Sequence, residues 1–188
     1  MAISSVKKHP LLIIYLASLA AFAPFSTDIF LASMPIIQKT FHTTTERVQL
    51  TLTLFFVGYA IAQLFWGPLS DRIGRKPVIF IGLFVYLAGT IASAVSTNIQ
   101  MLILGRIIQA IGACSGIVMS TAIIKDHYEG QDISRIFAKM ISVLMIAPMI
   151  APIIGSYLLV HFNWQSNFYF LIIYCLLLFV TSLYFKES

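Results

Sequence analysis

The chain has 188 residues, 59% of them hydrophobic, and a formal net charge of +5 from twelve Lys and Arg against seven Asp and Glu. Charged side chains make up 10% of it, where a soluble domain carries roughly 25%, so a water-covered globular fold is excluded. The basic residues are spread along the chain instead of forming one patch, which removes nucleic acid as the partner behind the net charge.

Six apolar runs, near 11–36, 47–67, 77–97, 99–124, 136–160 and 166–185, each reach about the 20 residues that a helix needs to cross hydrocarbon. Barrel strands would be about half as long and would alternate in polarity. The expected fold is therefore an all-α membrane protein, a single bundle of six transmembrane helices over 1–188. The first run follows Lys7 and Lys8 but is too long for a signal peptide and lacks a small-x-small site at its end, so it is expected to be retained. With the N-terminus cytoplasmic, Lys7, Lys8, Arg72, Arg75, Lys76, Lys125, Arg135, Lys139 and Lys186 fall inside, and Lys39 and Arg47 outside. That asymmetry predicts both termini in the cytoplasm.

In the first run Asp28 lies within apolar sequence, one turn after Pro24, which loosens the backbone locally. An ionisable group there costs about 2.5 to 3.5 kcal/mol on insertion scales and is expected to face a polar interior and to have a use. Burial disfavours its charged form and a nearby Arg favours it. A carboxyl balanced between the two can load and release a proton. In the second run Gln49, Leu52, Phe56, Tyr59, Gln63 and Trp66 share a helical stripe. Such a surface suits a lipophilic or cationic small molecule, or else helix packing.

Between runs two and three stands Trp66-Gly67-Pro68-Leu69-Ser70-Asp71-Arg72-Ile73-Gly74-Arg75-Lys76-Pro77. Gly67 and Pro68 are expected to end the second helix, Gly74 to permit a tight turn, and Pro77 to sit in the first turn of the third helix. Topogenic charge explains the basic residues but not Asp71, which is expected to pair with Arg75 or to cap a helix. In the fourth run Arg106 and Gln109 share a small, polar face with Ala110 and Ala113, and Gln109 is a candidate to meet a ligand there. The polar segment 125–135 is expected to hold a short surface helix. In the fifth run Ala147, Pro148, Ala151, Pro152 and Gly155 form either a close-packing seam or a hinge, with Met145 and Met149 as adaptable wall residues. Cys114 and Cys175 offer no metal-ligand spacing, and no metal or cofactor is expected. Ala113-Cys114-Ser115-Gly116 invites comparison with a membrane serine protease, but His9, His42, His127 and His161 all fall at or beyond helix ends, so no base is available and an enzyme is not expected.

Gly67-x-Leu69-Ser70-Asp71-Arg72-x-Gly74-Arg75-Lys76 resembles the loop signature between helices 2 and 3 of the major facilitator superfamily. The resemblance implies that Gly67, Asp71, Arg72, Gly74, Arg75 and Lys76 secure a cytoplasmic gate against helices of the other half of the protein. The stretch around Arg106 resembles the helix 4 motif, in which the arginine is associated with proton transfer, with Ala110 where glycine is usual. An arginine that only bridges helices through backbone carbonyls is the alternative. The fifth run resembles the helix 5 motif of the antiporters, with Ala151 and Ser156 in place of glycines. Together with Ser26-Thr27-Asp28-Ile29-Phe30-Leu31-Ala32-Ser33-Met34-Pro35, these stretches are similar to the Bcr/CflA group, which exports drugs in exchange for protons. Related exporters can carry a second carboxylate two turns before the aspartate, but Ala20 fills that place. Members have about twelve helices, so this chain resembles an N-terminal half, with two three-helix inverted repeats expected and a second six-helix half implied as partner. The implied function is proton-coupled drug efflux by alternating access in the cell inner membrane. A non-transporting fragment, a half that needs a second chain, and a proton-coupled uptake transporter are the alternatives.

Overall fold

Inside an apolar span no water replaces a lost backbone hydrogen bond, so a proline that removes a donor can bend or end its helix. The computed structural model describes residues 10–184; Lys7, Lys8, His9, Lys186 and residue 185 of the sixth run lie outside them. Among the described residues there are no strands, and the helices are α1 (Pro10–Ala20), α2 (Phe22–Leu31), α3 (Met34–Thr40), α4 (Thr45–Ile73), α5 (Arg75–Ala94), α6 (Ile99–His127), α7 (Gln131–Leu144), α8 (Ile146–His161) and α9 (Gln165–Tyr184). Three of these helices end at Ala20, Leu31 and Leu144, each four residues before a proline, namely Pro24, Pro35 and Pro148. In each case the absent N–H is the one that the last carbonyl of the helix would have accepted.

The expected six-span, all-helical architecture is present, with differences in the breaks. Helices α4, α5, α6, the α7–α8 unit and α9 are each long and apolar enough to cross a membrane, and the α1–α2 pair, bent by 50°, supplies a sixth span. The first run is thus not one helix over 11–36 but three pieces, with its bend at Ala21. The second run does not stop at Gly67 and Pro68. Helix α4 continues through Pro68 to Ile73, because Pro68 lies on an exposed side and removes one bond only, whereas Gly74 at φ 92° takes a conformation that ends the helix. Pro77 does lie in the first turn of α5. The segment 125–135 holds no separate surface helix. It is shared between the end of α6 and the start of α7, with Gly130 at φ 57° between them. Ile133, Ile136, Phe137 and Met140 hold α7 against the core while Asp132, Arg135 and Lys139 stay exposed, so the polar residues ride on the outer face of an extended fifth span.

Helix α6 is the hub, packing against α5, α4, α1 and α2. Its closest partner is α5, and glycine makes the approach possible. Gly82 and Gly89 on α5 and Gly105 and Gly112 on α6 recur at seven-residue spacing. A Cβ on Gly112 would run into the Tyr86 backbone, one on Gly89 into the Gln109 backbone, and one on Gly105 into Ser93. Gly116 lies in the same way against the Leu19 carbonyl of α1, and Gly155 against the Ile29 carbonyl of α2. Close backbone approach of this kind replaces hydrophobic association, which lipid does not supply.

Gly67 differs, since a Cβ there meets nothing within 4 Å. Gly112→Ala is therefore expected to destabilise the bundle by about 1–3 kcal/mol, the usual cost of overpacking, while Gly67→Ala is not expected to destabilise it. Thermal unfolding of the detergent-solubilised variants checks both.

Candidate functional site

The largest fully buried side chain is a charged one. Arg106, two turns into α6, is 0% exposed, and an ionised group in such a place needs several partners. Its Nη1 donates to the Ser26 carbonyl of α2 at 3.0 Å and to Gln109 Oε1 at 2.7 Å. Phe30 and Phe55 lie on the guanidinium, their ring centres 4.6 and 4.3 Å from Cζ, where cation–π attraction offsets part of the desolvation cost. Gln109 Nε2 donates in turn to Thr90 Oγ1 at 2.9 Å, and Ser26 Oγ meets Tyr86 Oη at 2.7 Å. The network ties α2, α5 and α6 together. Arg106 Nε and Nη2 have no hydrogen-bond partner.

Asp28 is half-buried on α2, with Thr27 Oγ1 at 3.5 Å. The ion pairs among the described residues do not include Asp28 with Arg106. The guanidinium grips the buried face of α2, which carries Ser26, Ile29 and Phe30, and Asp28 lies two positions on, about 200° around the helix. Arg106 thus reaches span 1 through a peptide carbonyl.

The stripe on α4 divides. Phe56 and Gln63 are exposed and Tyr59 is half-buried, but Trp66 turns inward and donates from Nε1 to the Ile111 carbonyl at 2.8 Å. Gln109, expected to face a ligand, is fully buried, with its amide committed to Arg106 and Thr90. Met145 and Met149 are exposed, Met145 at the α7–α8 break. Ala147, Ala151 and Gly155 form a buried face of α8, with Ala151 packed against Ile29 and Leu171 and Gly155 against the Ile29 carbonyl, while Pro148 and Pro152 face outward. The small residues thus form the packed face of α8, and the helix assignment is interrupted at Met145 between α7 and α8.

At the end of the bundle that carries the hairpin, Arg75 donates from Nη1 to Asp71 Oδ1 at 2.7 Å and to Ser70 Oγ, and from Nε to Asp126 Oδ2 of α6 at 2.9 Å. Asp71 pairs with Arg75 and does not cap a helix. Lys76 reaches the Leu183 carbonyl at 3.4 Å, and Arg72 is exposed. Beside this cluster a cleft of about 340 Å³ is lined by Gln63, Gly67 and Asp71 of α4 and by Thr121, Lys125 and Asp126 of α6, with Arg75 at its edge.

The family model of the Major Facilitator Superfamily matches residues 16–188. The chain belongs to the major facilitator superfamily. It is 36% identical over 160 residues to a bicyclomycin resistance protein homolog of Haemophilus influenzae, covering 84% of this chain and 39% of that protein. It is also 36% identical over 185 residues to the uncharacterized MFS-type transporter YdgK of Bacillus subtilis, covering 97% and 46%. Multidrug resistance protein D of Escherichia coli is 27% identical over 164 residues, covering 87% and 42%. The chain spans less than half the length of these curated relatives. As a member of this transporter superfamily it is a multi-pass membrane protein.

Several residues around the superfamily's motif positions were not singled out from sequence. Asp126 stood in the polar segment after run four as one acid among several. Ser26, Thr90 and Tyr86 carried no periodic signal, and Asn167 is described below. The seven-residue glycine spacing was the one readable sign of where α5 meets α6. Replacing Gln109 by Leu leaves the buried guanidinium with a single hydrogen-bond partner and is expected to cost about 1.5–3 kcal/mol. Asp71→Asn weakens a pair whose aspartate side chain is 67% exposed and is expected to cost under about 1 kcal/mol. Unfolding midpoints of the two variants check the difference.

Proposed function

We propose that these six spans form the N-terminal half of a proton-coupled exporter of lipophilic or cationic small molecules, such as drugs, working by alternating access in the cell inner membrane with both termini cytoplasmic. The observation that carries the proton-coupled part is Asp28, a half-buried carboxyl in an apolar span that is in no salt bridge among the described residues. An ionisable group in such a place is a candidate to carry a proton between two states of the protein. Arg106 holds the helix that carries it. The bicyclomycin resistance and multidrug resistance names of the relatives support a drug-like substrate. Phe56, Tyr59, Gln63, Met145 and Met149 are the proposed ligand-facing residues, and the Asp71, Arg75 and Asp126 cluster stabilises the state closed to the cytoplasm.

A second reading rests on the share of the relatives that is covered. The six spans then transport only when joined to, or inserted with, a second six-helix half that completes the pathway. The exposed positions Phe56, Gln63 and Met149, and the open space at Gly67, are the surface that such a half would meet.

Inside-out vesicles holding the assembled transporter, and in parallel the six spans alone, are given a pH gradient and ethidium, a fluorescent lipophilic cation. Accumulation is expected for the assembly and not for the six spans alone. Asp28→Asn is expected to lower it by about a hundredfold, the lower end of the effect of removing a positioned proton carrier. Undiminished accumulation in Asp28→Asn ends the coupling reading.

A further inference from the structure

Span 1 breaks a second time after Leu31. The Ser33 N–H turns back to the Phe30 carbonyl at 2.9 Å, a tighter return than the helical bond, which would have run to Ile29. The Ile29 carbonyl is thereby released from the helix in a fully buried position, where a lost partner is costly. Asn167 of α9, 2% exposed, supplies the donor. Its Nδ2 gives hydrogen bonds to the Ile29 carbonyl at 3.2 Å and to Ser33 Oγ at 2.6 Å. Since a carbonyl can only accept, the amide nitrogen must face span 1, and Oδ1 faces away without a partner. A buried amide with one end unsatisfied among the described residues is unfavourable as packing, so its place is accounted for by what its donor end does.

That end acts next to Asp28. The Ser26 carbonyl, two residues before Asp28, is held by Arg106, and the Ile29 carbonyl, one residue after it, is held by Asn167. Gly155 of α8 closes in on the same Ile29 carbonyl, where a Cβ would lie 2.8 Å from the oxygen. We propose that Asn167 is a positioning residue for Asp28. Its amide holds the α2–α3 break open and, with Arg106, fixes one backbone carbonyl on each side of Asp28, those of Ser26 and Ile29, so that the carboxyl is presented from a rigid turn. This rests on the reading of Asp28 as the proton site.

The test uses the assembled transporter in lipid nanodiscs and needs no substrate. Amide hydrogen exchange reports the break. Dicyclohexylcarbodiimide, an apolar reagent that adds to protonated carboxyls, reports Asp28 through mass spectrometry. Asn167→Leu is expected to speed exchange at residues 30–34 about tenfold, as for loss of one buried hydrogen bond, and to slow labelling of Asp28 about threefold or more, because a carboxyl on a loosened turn spends time hydrated and ionised. Ser33→Ala, which removes one of the two acceptors without touching α9, is expected to move both readings the same way by less. Asn167→Ser, which keeps a donor, is expected to lie closer to the unsubstituted protein than Asn167→Leu. Faster exchange throughout α8 and α9 with unchanged labelling at Asp28 means a packing role only and overturns the proposal, as does unchanged exchange at 30–34. An Asp28 that takes no label even without substitution removes the proton-site reading and the positioning role with it, while the exchange rates still report whether the clamp exists.

Discussion

A peptide carbonyl in hydrocarbon needs a donor, and the first span is where that need shapes the rest of the bundle. Its prolines end helices at Ala20 and Leu31, and side chains from two other spans reach across to its backbone. Ser120 of α6 donates to the Leu16 carbonyl at 2.7 Å, Tyr174 of α9 to Ser18 at 2.6 Å, Arg106 of α6 to Ser26 at 3.0 Å, and Asn167 of α9 to Ile29 at 3.2 Å. The donors alternate between α6 and α9 along the length of the span. A helix weakened by proline is in this way fixed from two sides, and it is the helix that carries the half-buried carboxylate.

These bonds require the helices to be close, and glycine supplies the closeness. With Gly116 against Leu19 and Gly155 against Ile29, span 1 lies close to α6 and α8, near enough for the short side chain of Ser120 on α6 to reach the Leu16 carbonyl. The Gly82, Gly89, Gly105 and Gly112 seam does the same for α5 and α6, which brings Thr90 to Gln109 and so completes the support of Arg106. Packing and polar satisfaction are one arrangement here. A side chain added in the seam would separate the helices and break hydrogen bonds several residues away, so the effect of such a change is not confined to its van der Waals contacts.

The spans and the turn at Gly74 were legible because they depend on local rules, run length and a glycine free to take positive φ, whereas the breaks in the first run and the continuation of α4 through Pro68 were not. Asp28 and Arg106 stood out because charge is rare in apolar sequence. What could not be read was which neighbour each face meets. In lipid both the packed and the outward faces of a helix are apolar, so periodicity shows that Phe56 and Trp66 are near one stripe of α4 but not that Trp66 turns to α6 while Phe56 stays open. Gln109 looked free for a ligand for the same reason, and only the neighbouring Thr90 shows otherwise. Asp126 and Asn167 are short polar residues at helix ends, where many such residues are merely hydrated. Their partners lie 51 and 138 residues away in sequence, beyond any local pattern.

The clamps also constrain how the proposed cycle could move. Arg106 and Asn167 both grip the buried face of α2, so rotation of that helix within the half would break two buried hydrogen bonds together and leave a charge and an amide unpaired, which is strongly unfavourable. Bending is less costly, because span 1 is already bent by 50° at Ala21 and span 5 is already interrupted at Met145. The break at Ala21 and the one at Met145 flank one apolar cavity of about 260 Å³ lined by Ala21, Phe25, Ile146, Ala147 and Ile150. Space beside two proline-weakened junctions lets the ends of spans 1 and 5 flex while the middle of α2 stays fixed. In the proposed cycle the half would then be a rigid block around Arg106 with compliant ends, and the exposure of Asp28, not its attachment, would alternate.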